Sequence, residues 1–351
     1  MFKTLDTPSV LIDLDVAEAN IVRFQAYCDR LGLKLRPHIK THKLPFLAKR
    51  QIEAGAVGIT CQKVSEAEAM MSEGGISDVL ITYNIIGDAK LARLRMLADQ
   101  LDRLTVVADN SVVATGLSRG FADAPKPLGI LIECDTGGGR CGVLTPRAAA
   151  DLADQISNLP GLAFRGLMTY PPVGREADVQ SWLSQARALI EARGIAVEIV
   201  SSGGTPGMWR AGDVPAATEY RIGTYVYNDR SLQAQDVCTW EDCALTVLAT
   251  VVSTPAPDRA VIDAGTKVLT SDLLGLKGHG HVLKRPDIAV AALSEEHGVL
   301  KAERIGLKVG DRVRIVPNHA CVVTNMLDRV ELVRGRVHEG TAPVTARGMV
   351  W

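Results

Sequence analysis

Between residues 9 and 204 the chain alternates short β-branched or apolar runs with longer amphipathic stretches, and this alternation constrains the fold more than any other feature. The short runs fall at 9–15, 34–40, 58–62, 78–84, 104–109, 128–135, 164–170 and 198–203. The stretches between them, such as 16–31, 65–74, 89–100, 147–159 and 177–194, carry helical periodicity, and several end at a glycine suited to a helix C-cap. Eight strand-helix units in roughly 200 residues predict a (β/α)8 barrel. A doubly wound open sheet has the same alternation, and periodicity alone does not separate the two.

After about residue 240 the rhythm changes. Runs at 244–253, 259–264, 280–283, 288–293, 312–316, 321–326 and 329–333 follow one another without helices between them. Turn formers such as Pro255-Ala256-Pro257-Asp258 and Lys308-Val309-Gly310-Asp311 separate them, which predicts an antiparallel β domain.

Composition narrows the function classes. The chain has 351 residues, 47% of them hydrophobic and 23% charged, enough for a sizeable core. A net charge of −1 gives no electrostatic reason to expect nucleic acid or an anionic membrane as partner. The opening Met1-Phe2-Lys3-Thr4-Leu5-Asp6 lacks the basic and apolar regions of a signal peptide, and no apolar run is long enough to span a bilayer, so a cytoplasmic protein is expected. Seven scattered cysteines suit reduced thiols better than a disulfide framework. Cys238 and Cys243 lie close in sequence but lack the second Cys/His pair of a zinc site.

Four segments carry candidate chemistry. Arg36-Pro37-His38-Ile39-Lys40-Thr41-His42-Lys43 puts Lys40 at the tip of the second predicted strand, where barrel active sites are built. Cationic neighbours and burial both lower an amine's pKa, so Lys40 is a candidate Schiff-base residue; a basic loop feeding a helix is the plainer reading. Ser201-Ser202-Gly203-Gly204-Thr205-Pro206-Gly207 follows the last predicted strand and suits an anion through its bare amides, or else is an ordinary glycine turn. Asp135-Thr136-Gly137-Gly138-Gly139-Arg140-Cys141-Gly142 allows close approach of a ligand and offers the planar fork of Arg140, although an arginine in a loop is commonly just solvated. In Pro317-Asn318-His319-Ala320-Cys321 an extended backbone would turn His319 and Cys321 to one face, where a thiolate with an imidazole favours zinc over magnesium or calcium. By itself an H-x-C pair is also compatible with a purely structural role.

Together these features resemble the fold type III pyridoxal-phosphate enzymes with an alanine racemase-like barrel. More narrowly, the chain resembles the D-threonine aldolase and D-serine dehydratase family, from Thr7-Pro8 through the Lys40 segment to His319-Ala320-Cys321. The resemblance implies a cofactor-binding barrel over residues 8–235 and a β domain formed by 1–7 and 236–351. It implies that Lys40 carries pyridoxal 5'-phosphate, that Arg140 touches the ring hydroxyl oxygen and that Tyr170 faces the pyridine nitrogen. Gly203, Gly204, Thr205, Gly223 and Tyr225 would hold the phosphate, and His319 and Cys321 a divalent ion beside the substrate's β-hydroxyl. Zinc is the expected ion, with manganese or magnesium as alternatives. Asp263, His279, His281 and His297 receive no role.

The implied activity is a lyase reaction on a β-hydroxy-D-amino acid in a homodimer. His-x-Cys, rather than the His-x-Asp associated with the aldolases, favours a D-serine dehydratase-like elimination to a keto acid and ammonia. Retro-aldol cleavage by a D-threonine or 3-hydroxy-D-aspartate aldolase is the alternative. An amino-acid racemase needs no metal pair, and a non-catalytic pyridoxal-phosphate carrier resembles the barrel alone.

Overall fold

The first apolar run does not join the barrel. In the computed structural model, which describes residues 2–351, β1 (Ser9–Asp13) pairs antiparallel with Leu245–Ala256 and parallel with Arg329–Arg334. Its middle residues Val10, Leu11 and Ile12 are all buried. A run that is apolar on both faces marks an interior without saying which interior, so the expectation of a first barrel strand at 9–15 was misplaced.

The barrel is instead made by β2 (Lys34–Leu35), β3 (Ile59–Cys61), β4 (Asp78–Asn84), β5 (Arg103–Ala108), β6 (Leu128–Cys134), β7 (Leu162–Thr169), β8 (Ile199–Ser202) and β9 (Glu219–Tyr220). All pair parallel in the order β2-β9-β8-β7-β6-β5-β4-β3, and a parallel bridge between His38 and Thr60 joins the two ends. The eighth strand is thus β9, and the run at 198–203 is the seventh. A two-residue strand is too short for a period-2 pattern to register. The run at 34–40 also shortens to two residues, because Pro37 has no N–H to give the ladder. Leu80, Val107, Leu131 and Met168, one from each of four consecutive strands, form a buried cluster with Ile199 against it. Two of the intervening helices begin at residues whose side chains accept a first-turn amide: Asn110 from Val113, and Thr145, ahead of Pro146, from Ala148.

The second sheet contains β1, β10 (Leu245–Ala256), β11 (Arg259–Ile262), β12 (His281–Val282), β13 (Ala289–Leu293), β14 (Gly298–Lys301), β15 (Arg312–Val316), β16 (Arg329–Arg334) and β17 (Val337–Pro343). Six of them close a ring, β10-β11-β14-β13-β12-β15, while β1, β16 and β17 extend it. Strand β10 serves two neighbours on one edge, pairing with β1 at Leu245 to Leu248 and with β11 from Val251 to Ala256.

The run at 321–326, expected as a strand, is the helix Ala320–Met326. Ala320, Val323 and Thr324 are its buried face, at the i, i+3, i+4 spacing of a helix, and the Thr324 hydroxyl donates to the Ala320 carbonyl. Helical burial here outweighs the strand preference of Val322, Val323 and Thr324. The chain divides into two compact units. One comprises Met1–Arg23, Thr41–Leu44 and Thr224–Gly348, the other Phe24–Lys40, Pro45–Gly223 and Met349–Trp351. All seven cysteines are free, and among the described residues no helix is long and apolar enough to cross a membrane.

Candidate active site

The seam between β2 and β9 carries the Lys40 segment. Beyond the paired residues, the amide of Arg36 donates to Tyr220 O at 3.0 Å and that of His38 to Ile222 O at 2.6 Å, so both chains run side by side towards Ile222 and Gly223. Lys40 then sits in the short 3₁₀ turn Ile39–Thr41 rather than at the tip of an extended strand. Its amide donates to Nδ1 of His38 at 3.4 Å, while Nε2 of His38 meets Gln62 Oε1 at 3.2 Å. Lys43 is turned elsewhere, its Nζ donating to Ala346 O at 3.2 Å.

Around the same barrel, Tyr170 brings two predicted residues together. The Arg140 guanidinium lies 5.1 Å from the centre of its ring, and a Cβ added at Gly204 would be 2.9 Å from the ring's edge. A side chain at 204 would have to displace that ring. Gly203 has φ +131°, and a Cβ there would meet Arg221 O at 2.5 Å. Thr205 opens the 3₁₀ stretch that follows, and Gly223 and Tyr225 are buried. A cleft of about 300 Å³ is lined by Glu133, Asp135, Arg140 and Tyr170 among others. The glycines at 137–139 do not offer their amides to a ligand: all three donate to the Asp135 carboxylate at 2.7–3.1 Å. Burial opposes it, but these amides hold the Asp135 carboxyl below its usual range.

Sequence reasoning missed the polar interior behind these residues. Buried Arg221 donates from Nε to Ser201 Oγ at 2.9 Å and from Nη2 to Thr169 O at 2.5 Å. Ser201 Oγ donates to Glu219, and Glu219 also accepts from Arg36 at 2.8 Å. Arg36 in turn holds Asp78 at 2.7 Å. Burial brings Arg221 down to about 10, against the pull of Glu219 and Glu133. It also raises Glu133, against Arg140 at 3.7 Å and Arg221. The available signal was Glu219-Tyr220-Arg221, with opposite charges two apart in an extended run where the strand that closes the barrel ends.

In the other unit, His319 is the N-cap of the helix Ala320–Met326 and Cys321 its second residue. They come together although the extended backbone expected through them stops at His319. The imidazole hydrogen-bonds the Cys321 thiol, which together with that thiol's charge raises His319 to about 9 despite burial. Burial alone would raise the Cys321 thiol, but His319, Thr224 and Thr41 hold it below its usual value. Thr41 Oγ1 is 3.1 Å and Thr224 Oγ1 3.5 Å from its sulfur. Both threonines are tied covalently to the cofactor candidates: Thr41 directly follows Lys40, and Thr224 directly follows Gly223. Nδ1 of His319 meets Asp272 Oδ2 at 2.8 Å. The buried hydroxyl of Tyr227, a residue that senses the charge of Cys321, has no hydrogen-bond partner among the described residues.

The residues left without a role separate. Asp263 ties Thr7 Oγ1, at 2.6 Å, to the Thr250 amide, at 2.8 Å. His281 stacks on Trp240 with centroids 3.8 Å apart, Nδ1 of His279 is buried without a partner among the described residues, and His297 is exposed in the turn between β13 and β14.

Comparison with known proteins covers nearly the whole chain. The alanine racemase N-terminal domain family matches residues 12–231, and the putative serine dehydratase domain family residues 244–333. The D-threonine aldolase of Arthrobacter sp. is 35% identical over 98% of this chain and 93% of its own. The chain belongs to the D-threonine aldolase and D-serine dehydratase family. The D-threo-3-hydroxyaspartate dehydratase of Delftia sp. (strain HT23) is 32% identical, covering 91% of each chain. The crystal structure of D-threonine aldolase from Filomicrobium marinum superposes with a TM-score of 0.92 at 33% identity, covering 99% of this chain and 97% of that one.

The family implies pyridoxal phosphate, and the residues here fit it: a lysine beside the β2–β9 seam, and glycines at 203 and 204 where a Cβ would clash. A divalent ion fits the donor set of His319 and Cys321, a soft thiolate with an imidazole. Among the described residues no cluster of three or more His, Cys, Asp and Glu ligands forms, so such an ion would keep open positions.

Proposed function

We propose that this pyridoxal-phosphate-dependent lyase dehydrates a β-hydroxy-D-amino acid to a keto acid and ammonia, with zinc held by His319 and Cys321. The observation that carries it is the Cys321 thiol, held low by His319, Thr41 and Thr224, where an aldolase of the family is expected to carry aspartate. When bound, pyridoxal phosphate supplies an electron sink for density released at the substrate's Cα, and the divalent ion a Lewis acid for its β-oxygen.

The chain's own groups do the rest. Lys40 Nζ would hold the cofactor and, as a free amine, would take the proton from the substrate's Cα. Gly203, Gly204, Thr205 and Gly223 would receive the phosphate through their amides. Arg140 would face the ring hydroxyl oxygen, and Tyr170, packed between Arg140 and Gly204, would face the pyridine nitrogen. His319 and Cys321 would hold the divalent ion that acts on the substrate's β-hydroxyl.

A second reading, cleavage to glycine and an aldehyde, draws on the 35% identity with the Arthrobacter aldolase. One assay separates them. The purified protein is offered D-serine, D-threonine and the D-configured 3-hydroxyaspartates, and products are identified. Keto acid plus ammonia is expected; glycine plus aldehyde would replace the dehydratase with the aldolase, and no turnover of any of them would reject both.

A further inference from the structure

The imidazole of His319 has two nitrogens, and only one can serve a metal shared with Cys321. Nδ1 is engaged by Asp272 Oδ2 at 2.8 Å, so Nε2 is left to face the thiol. The two lone-pair directions of the ring diverge, which puts Asp272 on the far side from any ion held between Nε2 and sulfur. Asp272 is therefore not a third ligand.

Its position is built rather than incidental. Asn318, the neighbour of His319, donates from Nδ2 to Asp272 O at 3.0 Å and to Gly278 O at 2.9 Å. Arg230 fixes Asn318 through its Oδ1 at 2.9 Å and holds Gly278 O and Lys277 O with the same guanidinium. The Asp272 amide donates to Thr270 Oγ1 at 3.1 Å, and Thr270 itself adopts φ +66°. The dipeptide Asn318-His319 thus grips the 270–278 loop twice at one residue, once by its carbonyl and once by its carboxylate. On the other side the Ala320 amide donates to Asp229 Oδ2 at 3.1 Å.

We infer that Asp272 is the positioning residue of the metal site: its carboxylate fixes the His319 ring with Nδ1 protonated and Nε2 presented to the ion. A carboxylate behind a ligating histidine fixes its tautomer and raises its basicity, and losing it weakens metal binding about 10–100-fold. This rests on the metal reading proposed above.

The test measures zinc(II) affinity, by competition with a chromogenic chelator, on cofactor-loaded protein stripped of metal. Cobalt(II) substitution supplies a second readout, the thiolate-to-metal absorbance. Asp272→Ala is expected to weaken zinc about 10–100-fold with the cobalt–thiolate band shifted or diminished. Asp272→Asn, whose amide oxygen still accepts from Nδ1, is expected to lose less. If Asp272→Ala binds zinc within twofold of wild type while His319→Ala loses it, the metal site stands and the role of Asp272 is overturned. If His319→Ala and Cys321→Ala both leave zinc affinity and the cobalt band unchanged, the metal site itself is rejected, and the positioning role with it. Should Asp272→Ala fail to fold, Asp272→Asn decides: undiminished zinc affinity and an unchanged band overturn the proposal.

Discussion

Replacing Arg36 by methionine tests whether the buried ion pairs hold the β2–β9 seam. The guanidinium is only 4% exposed and meets Glu219, also 4% exposed, at 2.8 Å and Asp78 at 2.7 Å. Methionine keeps most of the apolar stem but leaves the buried Glu219 carboxylate with the Ser201 hydroxyl and the through-space pull of Arg221, without its hydrogen-bonded cation. Two charge-assisted bonds at about 1.5–3 kcal/mol each give a loss of about 3–6 kcal/mol, in line with the roughly 3–5 kcal/mol for removing one partner of a buried pair. At about 2–4 °C per kcal/mol, the thermal midpoint should fall by roughly 6–24 °C. Thermal and urea unfolding of wild type and variant give the measurement. The double variant Arg36→Met/Glu219→Gln removes the stranded charge and should regain about 0.5–3 kcal/mol, the usual coupling of residues in contact. A loss below about 1 kcal/mol for the single variant, or a double variant no more stable than the single, would refute the reasoning.

Lys40→Ala should abolish the visible absorbance of lysine-bound cofactor, whereas Lys43→Ala should retain it, since Lys43 Nζ donates to Ala346 O; spectra of the purified variants decide. Gly203→Ala puts a Cβ 2.5 Å from Arg221 O at φ +131°, so cofactor retained after dialysis should drop well below wild type, and unchanged retention would reject the phosphate cradle. Asp135 has a carboxyl held below its usual value, so the stability it adds is present above the unfolded-state pKa and fades as pH falls through the lower folded one. The thermal midpoint gap between wild type and Asp135→Ala should therefore be full at neutral pH and shrink in acid; a gap that stays constant down to pH ~2 would contradict it.

Much of the site was legible because its chemistry is written in short segments. Lys40 announces itself by its position after an apolar run, Gly203-Gly204 by the need for bare backbone, and His319-Ala320-Cys321 by its donor types. The last was recognised for the wrong local reason. The two side chains meet at a helix start, not along a strand, because burial of Ala320, Val323 and Thr324 selects a helical period over β-branched preference.

By itself the sequence determined which segments are interior, where helices alternate with strands over most of the barrel, and which side chains carry donors suited to a cofactor or a metal. Periodicity and residue chemistry are local properties, and the chain states them outright. Tertiary structure alone decided that β1 belongs to the second sheet, that a two-residue strand closes the barrel, and that Arg36 meets Glu219 across 183 positions. It also decided that Asp272 stands behind His319 from 47 residues away. Pairings at such separations depend on how buried faces and charges find partners after the chain has closed on itself, and no short window of sequence contains both partners.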